Sequence, residues 1–388
     1  MPFHRSLRIV AILLFVLAQS AFAQELKTKK KTPPVIEEIN VAMQEFVDSG
    51  DISGAVTLVS HKGKIMHLGA VGMADIEKQK PMKPSNLFAI ASMTKPIVAT
   101  GLLMLQDEGK LSIDDEVKKY IPGFADLKLK DGTPVERPIT IRDCITHTSG
   151  LAGKQIFEED TLEAGVNALA MRPLAFQPGA KWQYSPGLNV CGRVIEVVSG
   201  QPLQTFLQQR IFTPMKMKQT TFFPGEKQIR RIVTLYNKKD GKLVVEEGFL
   251  GKLSEIKAPN PSGGLISSAR DMCRFYQLMI RKGKFQKQQL LTESAVEQMT
   301  TPQTGELKTG FTPGNAWGLG WCIVREPQEI SGMLSAGTFG HGGAFGTQGW
   351  VDPKTKTIYV LMIQRKGILN SDNSKMRRKF QEVAASKI

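Results

Sequence analysis

Four cysteines in 388 residues, none in a Cys-x-x-Cys pair, are too few for a disulfide framework. Cys144, Cys191, Cys273 and Cys322 therefore read as buried free thiols. Histidine is nearly as scarce, with five scattered residues and no His-Glu-x-x-His or mixed Cys/His spacing, so no metal is expected. No cofactor is expected either, because the chain carries no phosphate loop; a Gly-x-Ser-x-Gly elbow is also missing. Acidic residues are outnumbered, 36 against 51, giving a formal charge of +15. The excess is spread thinly rather than gathered into a basic, aromatic surface. That argues against a nucleic-acid partner and for loose affinity towards anionic envelope surfaces. The longest apolar run, Ile9 to Ala18, is too short to span a bilayer.

That run has a clear context. Arg5 and Arg8 precede it and Ala21-Phe-Ala23 follows, the pattern of a secretory signal peptide over residues 1–23, cut before Gln24. An uncleaved N-terminal anchor is the alternative. Removal takes two positive charges with it and leaves no membrane span, and the mature protein is expected to be secreted or periplasmic. Residues 24–34, with Lys27-Thr-Lys-Lys-Lys-Thr32 closed by Pro33 and Pro34, read as a flexible basic leader. Residues 35–388 are long enough for one large domain. The share of apolar residues is 41% and of charged residues 22%, as in soluble globular proteins.

Strand patterns cluster at the two ends of that domain. Gly54–Ser60 and Ile65–Val71 flank His61-Lys-Gly-Lys64 as a hairpin, after a helical stretch at Val35–Val47. Near the other end, Trp317–Val324, Gly337–His341, Thr347–Val351 and Thr357–Gln364 read as strands. Asp352–Lys356 forms a turn, and Met376–Ala385 a closing helix. Between the ends lie short helices: Val117–Ile121, Pro202–Ile211, Asp271–Ile280 and Glu293–Met299, with capping boxes at Ser112-Ile-Asp-Asp115 and Thr140-Ile-Arg-Asp143. Only Lys242–Val245 has strand character in the middle. The expected class is α+β: one antiparallel sheet built from both chain ends (about 35–91 and 256–388), flanked by helices, with an inserted mainly helical region (about 92–255).

Chemistry points first to Ser92-Met-Thr-Lys95, at the start of the apolar stretch running to Leu105. A hydroxyl and an amine three residues apart share one side of a helix. With Met93 as first helical residue, Pro96 is the fourth and breaks no hydrogen bond. Free N–H groups at the helix start favour a developing oxyanion, and burial lowers the pKa of a lysine. The plain alternative is an ordinary helix start with a solvated lysine. A second Ser-x-x-Lys, Ser254–Lys257, runs into Ala258-Pro-Asn-Pro261 and has no enforced geometry.

Tyr184 lies on a loop before the helical stretch Val190–Val198. It can relay a proton, its phenol made more acidic by a neighbouring cation, or simply anchor the loop. In Gly340-His-Gly-Gly-Ala-Phe-Gly346, glycines at a strand edge let a substrate approach closely and aim N–H groups at a carbonyl oxygen. His341 there either touches substrate or fills space. In Ile145-Thr-His-Thr-Ser-Gly-Leu151, the hydroxyls and His147 fix a loop by local hydrogen bonds. His61 and His67 have no partner suggesting chemistry.

The order of these elements is informative. Ala91-Ser-Met-Thr-Lys-Pro96, Thr146-His-Thr-Ser-Gly-Leu151, Tyr184-Ser-Pro186, Pro261-Ser-Gly-Gly-Leu-Ile-Ser-Ser268 and Gly340-His-Gly-Gly343 together resemble the serine β-lactamase and penicillin-binding-protein superfamily. The resemblance is to its class C-like branch, which includes family VIII carboxylesterases, D-alanyl-D-alanine carboxypeptidases and 6-aminohexanoate-dimer hydrolases, and it covers roughly residues 35–385. It implies Ser92 as nucleophile, with Lys95 and Tyr184 sharing the base role in an order left open. It further implies an oxyanion hole from the backbone N–H groups of Ser92 and Ala344, and substrate contacts at His341, Gly342 and Gly343.

Two departures bear on substrate. Pro186 stands where the family's Tyr-x-Asn element has asparagine, and His341 replaces the lysine of Lys-Thr-Gly. Both weaken recognition of a penicillin or a D-Ala-D-Ala terminus, since polar sites discriminate through such pairings. The resemblance therefore implies a carboxylesterase on small acyl esters. A carboxypeptidase on cell-wall peptide, a weak β-lactamase and a catalytically silent envelope binding or sensor protein are the alternatives.

Overall fold

The computed structural model describes residues 33–153 and 159–388. The signal-peptide expectation and most of the leader fall outside them. One compact unit spans Val35–Ile388.

After helix α1 (Glu37–Asp48), strands β1 (Gly54–His61) and β2 (Lys64–Asp75) form an antiparallel hairpin. Lys62 and Gly63, both at positive φ, close it as a two-residue turn whose twist matches the strands. Two short strands follow, β3 (Lys80–Pro81) and β4 (Phe88–Ala89). The chain then leaves the sheet for helices α2 (Lys95–Asp107), α3 (Ile141–Thr146), α4 (Leu162–Ala170), α5 (Gly187–Ser199) and α6 (Leu203–Leu207).

A short helix α7 (Glu226–Ile229), the hairpin β5 (Tyr236–Lys239) and β6 (Lys242–Val245), helix α8 (Phe249–Ser254) and strand β7 (Ile266–Ser267) lead back. Helix α9 (Ala269–Ile280), a small hairpin of β8 (Lys284–Phe285) and β9 (Gln288–Gln289), and helix α10 (Glu293–Thr300) come next. The last strands are β10 (Asn315–Trp317), β11 (Cys322–Val324), β12 (Phe339–Gly342), β13 (Gln348–Asp352), β14 (Thr357–Met362) and β15 (Arg365–Lys366), before helix α11 (Lys375–Ala385).

The main sheet has eight strands in the order β10-β11-β12-β13-β14-β1-β2-β3. Every pairing in it is antiparallel, and β1 meets β14, joining the two ends of the chain. Both faces are covered. Along β1, Ala55 and Val59 enter a core with Ile39 and Met43 of α1 and Phe380 of α11, while Val56 and Leu58 face the larger core shared with α2 and α9. This period-two alternation is what a strand buried on both sides requires.

Three readings of the sequence differ from the structure. Trp317–Val324 is two strands, because Gly318–Trp321 turns back on itself through the bond from Gly318 N–H to the Trp321 carbonyl. Gly320 (φ +76°) leans against Ala99 of α2 there. The helix after Ser92 starts at Lys95, with Pro96 near its first turn, so Ser92 lies on a preceding 3₁₀ turn (Ala91–Thr94). Ser112 and Asp115 close a turn rather than cap a helix, Asp115 accepting from Ser112 N–H at 2.9 Å. Thr140 and Asp143 do form the capping box, at the start of α3. All four cysteines are buried free thiols.

Candidate active site

Helix α2 is buried on all sides from Lys95 to Leu105, as a helix apolar all round must be. Its burial fixes what precedes it. Ala91 is held at φ +44°, a costly conformation for a residue with a Cβ. Ile90 N–H, bonded to the Leu265 carbonyl at 3.0 Å, ties the turn to the loop before β7. The turn thus presents Ser92 partly exposed while the residues around it are buried.

Lys95 is completely buried, and its Nζ lies 3.2 Å from Ser92 Oγ. The same amine donates to the Ser262 carbonyl at 2.6 Å and sits 4.5 Å from the centre of the Tyr184 ring. Burial drives its pKa well below that of an ordinary lysine, which favours the neutral amine. Tyr184 behaves oppositely to the sequence expectation. Burial pushes its phenol up, outweighing the hydrogen bond with Ser92 that pulls it down, so it stays protonated.

His341, on β12, places Nε2 3.4 Å from the Tyr184 hydroxyl. Its Nδ1 lies 2.7 Å from the Gly342 carbonyl and donates to it, leaving Nε2 as the acceptor facing Tyr184. Burial, then the neighbouring Lys95, lower its pKa to about 3. The histidine is neutral and offers no cation to a substrate carboxylate.

Ser92, Lys95, Tyr184 and His341 therefore converge. Ala344 is exposed on the turn after β12. That turn is closed by Gly343 N–H to the Thr347 carbonyl and Gly346 N–H to the Gly343 carbonyl, bonds that do not use the Ala344 N–H. The glycines have a different reason from the one inferred from sequence. A Cβ on Gly342 would meet Asp372 Oδ1 at 1.8 Å, and one on Gly343 would meet Thr347 Oγ1 at 2.2 Å and the Ile90 carbonyl at 2.5 Å. They let β12 lie against the protein behind it and against the segment leading into Ser92, rather than opening space for a substrate. The second Ser-x-x-Lys is not a pair: Ser254 donates to the Gly251 carbonyl, while Lys257 bonds Asp160.

His147 plays the structural part expected of it. Its Nδ1 accepts the Ser185 N–H at 3.1 Å, and its ring packs 4.5 Å from that of Tyr184. Nε2 has no hydrogen-bond partner, and the imidazole packs steeply inclined against the ring of Trp317, with centroids 5.1 Å apart.

Sequence reasoning missed two groups. Asn189 Oδ1 accepts Ser262 N–H at 2.9 Å, clamping the carbonyl that holds Lys95. An aromatic wall surrounds Tyr184, where Phe311 lies 5.0 Å and Trp317 6.0 Å from its ring and Trp182 closes the group. An asparagine one turn into α5 was the available signal for the first; the wall assembles from segments far apart in sequence and had none. Among the described residues, no group of three or more His, Cys, Asp or Glu is placed to hold a metal.

Fold and site together make this a serine hydrolase of the β-lactamase/transpeptidase type. The chain belongs to the beta-lactamase family, whose model matches residues 39–383. It is 31% identical to esterase EstB of Burkholderia gladioli over 335 residues, covering 77% of this chain and 82% of that one. Similarity to the N-acetylmuramyl-L-alanine amidase of Bacillus subtilis is 25% over 389 residues, covering 89% and 83%. Among solved structures, EstCE1, a hydrolase with promiscuous acyltransferase activity, superposes with a TM-score of 0.78 at 24% identity, covering 90% of this chain and 97% of that one.

Proposed function

We propose that the protein is an exported carboxylesterase that cleaves small acyl esters through an acyl-enzyme on Ser92. The observation that carries this reading is a fully buried amine, biased towards neutrality, 3.2 Å from a serine hydroxyl. As Ser92 Oγ attacks the ester carbonyl carbon, its proton passes to Lys95 Nζ. The carbonyl π electrons move to oxygen, and the N–H groups of Ser92 and Ala344 receive the oxyanion.

Collapse of the tetrahedral intermediate breaks the bond to the alcohol oxygen. That oxygen takes the Tyr184 proton, and Tyr184 is reprotonated from Lys95. Water then repeats the sequence on the acyl-enzyme, with the Ser92 oxygen as leaving group. A neutral His341 accepting from Tyr184 suits an uncharged ester better than a substrate that ends in a carboxylate. The 31% identity with EstB supports the same choice. The export half of the proposal rests on Arg5, Arg8 and the apolar run after them.

A second reading, hydrolysis of an amide in cell-wall peptide, draws on the Bacillus subtilis amidase relative. Assays with p-nitrophenyl butyrate, nitrocefin and a muramyl peptide on wild type and Ser92→Ala separate these readings. Ester cleavage that Ser92→Ala lowers at least ~10³-fold is expected. Turnover of nitrocefin or the peptide without ester cleavage would reverse the assignment. A folded protein in which Ser92 takes no fluorophosphonate label would be a binding protein instead.

A further inference from the structure

Part of the positive charge that is scattered along the sequence is gathered by the fold. The turn between β1 and β2 lies beside the turn between β13 and β14, joined by the bond from Lys62 N–H to the Lys356 carbonyl at 2.9 Å. The C-terminus of α9 meets both. Together they enclose a cavity of about 450 Å³ lined by Lys62, Arg281, Lys354 and Lys356, with Ile280 and Ile358 as its apolar part and no acid. The Arg281 guanidinium leans over the first turn, its Nη2 3.1 Å from where a Cβ on Gly63 would lie. Among the described residues none of these four cations forms an ion pair, although Lys282, next to Arg281, is paired with Glu293. The side-chain amide of Gln277, on the same wall, also has no hydrogen-bond partner among them. Asp352 of the second turn is buried and accepts the backbone N–H groups of Ser335, Lys354 and Thr355, so it holds the turn rather than a cation.

We propose that this cavity binds a ligand carrying two phosphate groups, either a soluble diphosphate or a lipid headgroup. Like charges around one concave wall repel, and an apolar floor lowers the local dielectric and sharpens the repulsion, so an anion of matching charge is held strongly. Two phosphates bring about −3 to −4 at neutral pH and balance four cations, whereas a dicarboxylate balances only half of them. The Arg281 fork suits two oxygens of one phosphate, and the ammonium groups and the Gln277 amide supply donors for the rest. The volume lies in the lower part of the range for small-molecule pockets. This site is separate from the reactive cluster. Strand β13 passes beside His341 at Gly349 and runs away from it to Asp352, which puts the turn with Lys354 at the strand's other end. The proposal therefore stands or falls independently of the ester reading.

The test is calorimetric titration of the full chain with pyrophosphate, orthophosphate and succinate. Pyrophosphate should bind about tenfold or more tightly than either of the others. Lys62→Asn/Lys356→Asn removes two of the charges, and asparagine tolerates the left-handed φ (+48° and +57°) of both positions. It should weaken pyrophosphate binding about tenfold or more, and Arg281→Gln about fivefold. Should the turn variant not fold, Arg281→Gln decides alone. Lys80→Gln/Lys83→Gln lowers the net charge equally at a different cavity and should leave binding unchanged. Equal binding of pyrophosphate and orthophosphate, or equal weakening by the two double variants, overturns the site. Sedimentation with phosphatidylcholine vesicles, with and without cardiolipin and its two phosphates, separates the sources. Cardiolipin-dependent sedimentation that pyrophosphate displaces and the cavity variants lose assigns the site to a lipid headgroup. Variant-sensitive pyrophosphate binding without such sedimentation assigns it to a soluble ligand. If neither pyrophosphate nor cardiolipin binding responds to the cavity variants, the proposal is wrong.

Discussion

At the scale of single residues, the proton inventory decides who does what. An ammonium with no exposure is costly to hold, so burial favours the neutral amine of Lys95, the form that the proposed mechanism uses as base, whereas the same burial keeps Tyr184 protonated. Activity then requires unprotonated Lys95. kcat/KM for p-nitrophenyl butyrate should rise with pH through the lowered pKa of Lys95 and level off, with no descending limb until Tyr184 ionises. Lys95→Arg, which keeps a permanent charge, should lose at least ~10³-fold and lose the ascending limb with it. If the limb persists in residual Lys95→Arg activity, another group is the base. Tyr184→Phe gives a different signature. Removing a positioned acid costs ~10²–10⁴-fold where the leaving group needs a proton. The loss should be large for an alkyl ester and small for a p-nitrophenyl ester, whose phenolate leaves unaided. Equal losses on both would mean that Tyr184 does not protonate the alcohol.

The elements explain why those residues meet. Strand β12 delivers His341 and the turn with Ala344, and it lies where it does because Gly343 presents no side chain to the Ile90 carbonyl and Thr347. Gly343→Ala forces its Cβ against the Thr347 hydroxyl and to 2.5 Å from the Ile90 carbonyl oxygen, the second of which backbone must absorb, costing ~1–3 kcal/mol of stability and separating Ala344 from Ser92. Calorimetry should show a lowered melting temperature, and ester turnover should fall more than stability does. An unchanged melting temperature would show that the strand has room to move.

The same strand shows what could be read from the chain. Its glycine density was visible, and so was its tie to the serine segment through the resemblance. The cause was not visible, because the obstructing atoms belong to Asp372, Thr347 and Ile90. Periodicity found the paired chain ends and α2, since burial on one face or all faces leaves a local record. It joined β10 and β11 into one strand, because the turn between them contains only Gly, Leu and Trp and is fixed by packing on Ala99. Lys95 and Ser92 were legible three residues apart; the Asn189–Ser262 clamp and the Phe311 wall, spanning 73 and 127 positions, were not.

The whole molecule carries a consequence of burying its histidines. His67 bridges α1 to the sheet: Nδ1 accepts Ile36 N–H at 2.9 Å and Nε2 donates to Thr57 Oγ1 at 2.8 Å. Burial lowers its pKa to about 4 from 6.5. His341 is lowered to about 3 and His147 well below its ordinary value, burial being the first cause for both. In each case the unfolded chain binds the proton more readily. The contribution of these histidines to stability is therefore complete above about pH 6.5 and falls as pH drops towards the folded pKa, by up to ~1.4 kcal/mol per pH unit for each histidine. Among the carboxylates, lowered aspartates such as Asp143 lose their contribution only below their ordinary value of 3.8 and lowered glutamates such as Glu108 below 4.5, while burial raises Asp271 and Asp372, whose contribution runs the opposite way. Melting temperature should therefore fall steeply from pH 7 to pH 4.5. His67→Gln, which keeps a polar side chain at that position but cannot titrate, should melt lower than wild type at pH 7 and lose ~3 kcal/mol less on acidification. If both proteins lose stability in parallel over that range, His67 is not one of the groups that makes this fold acid-sensitive.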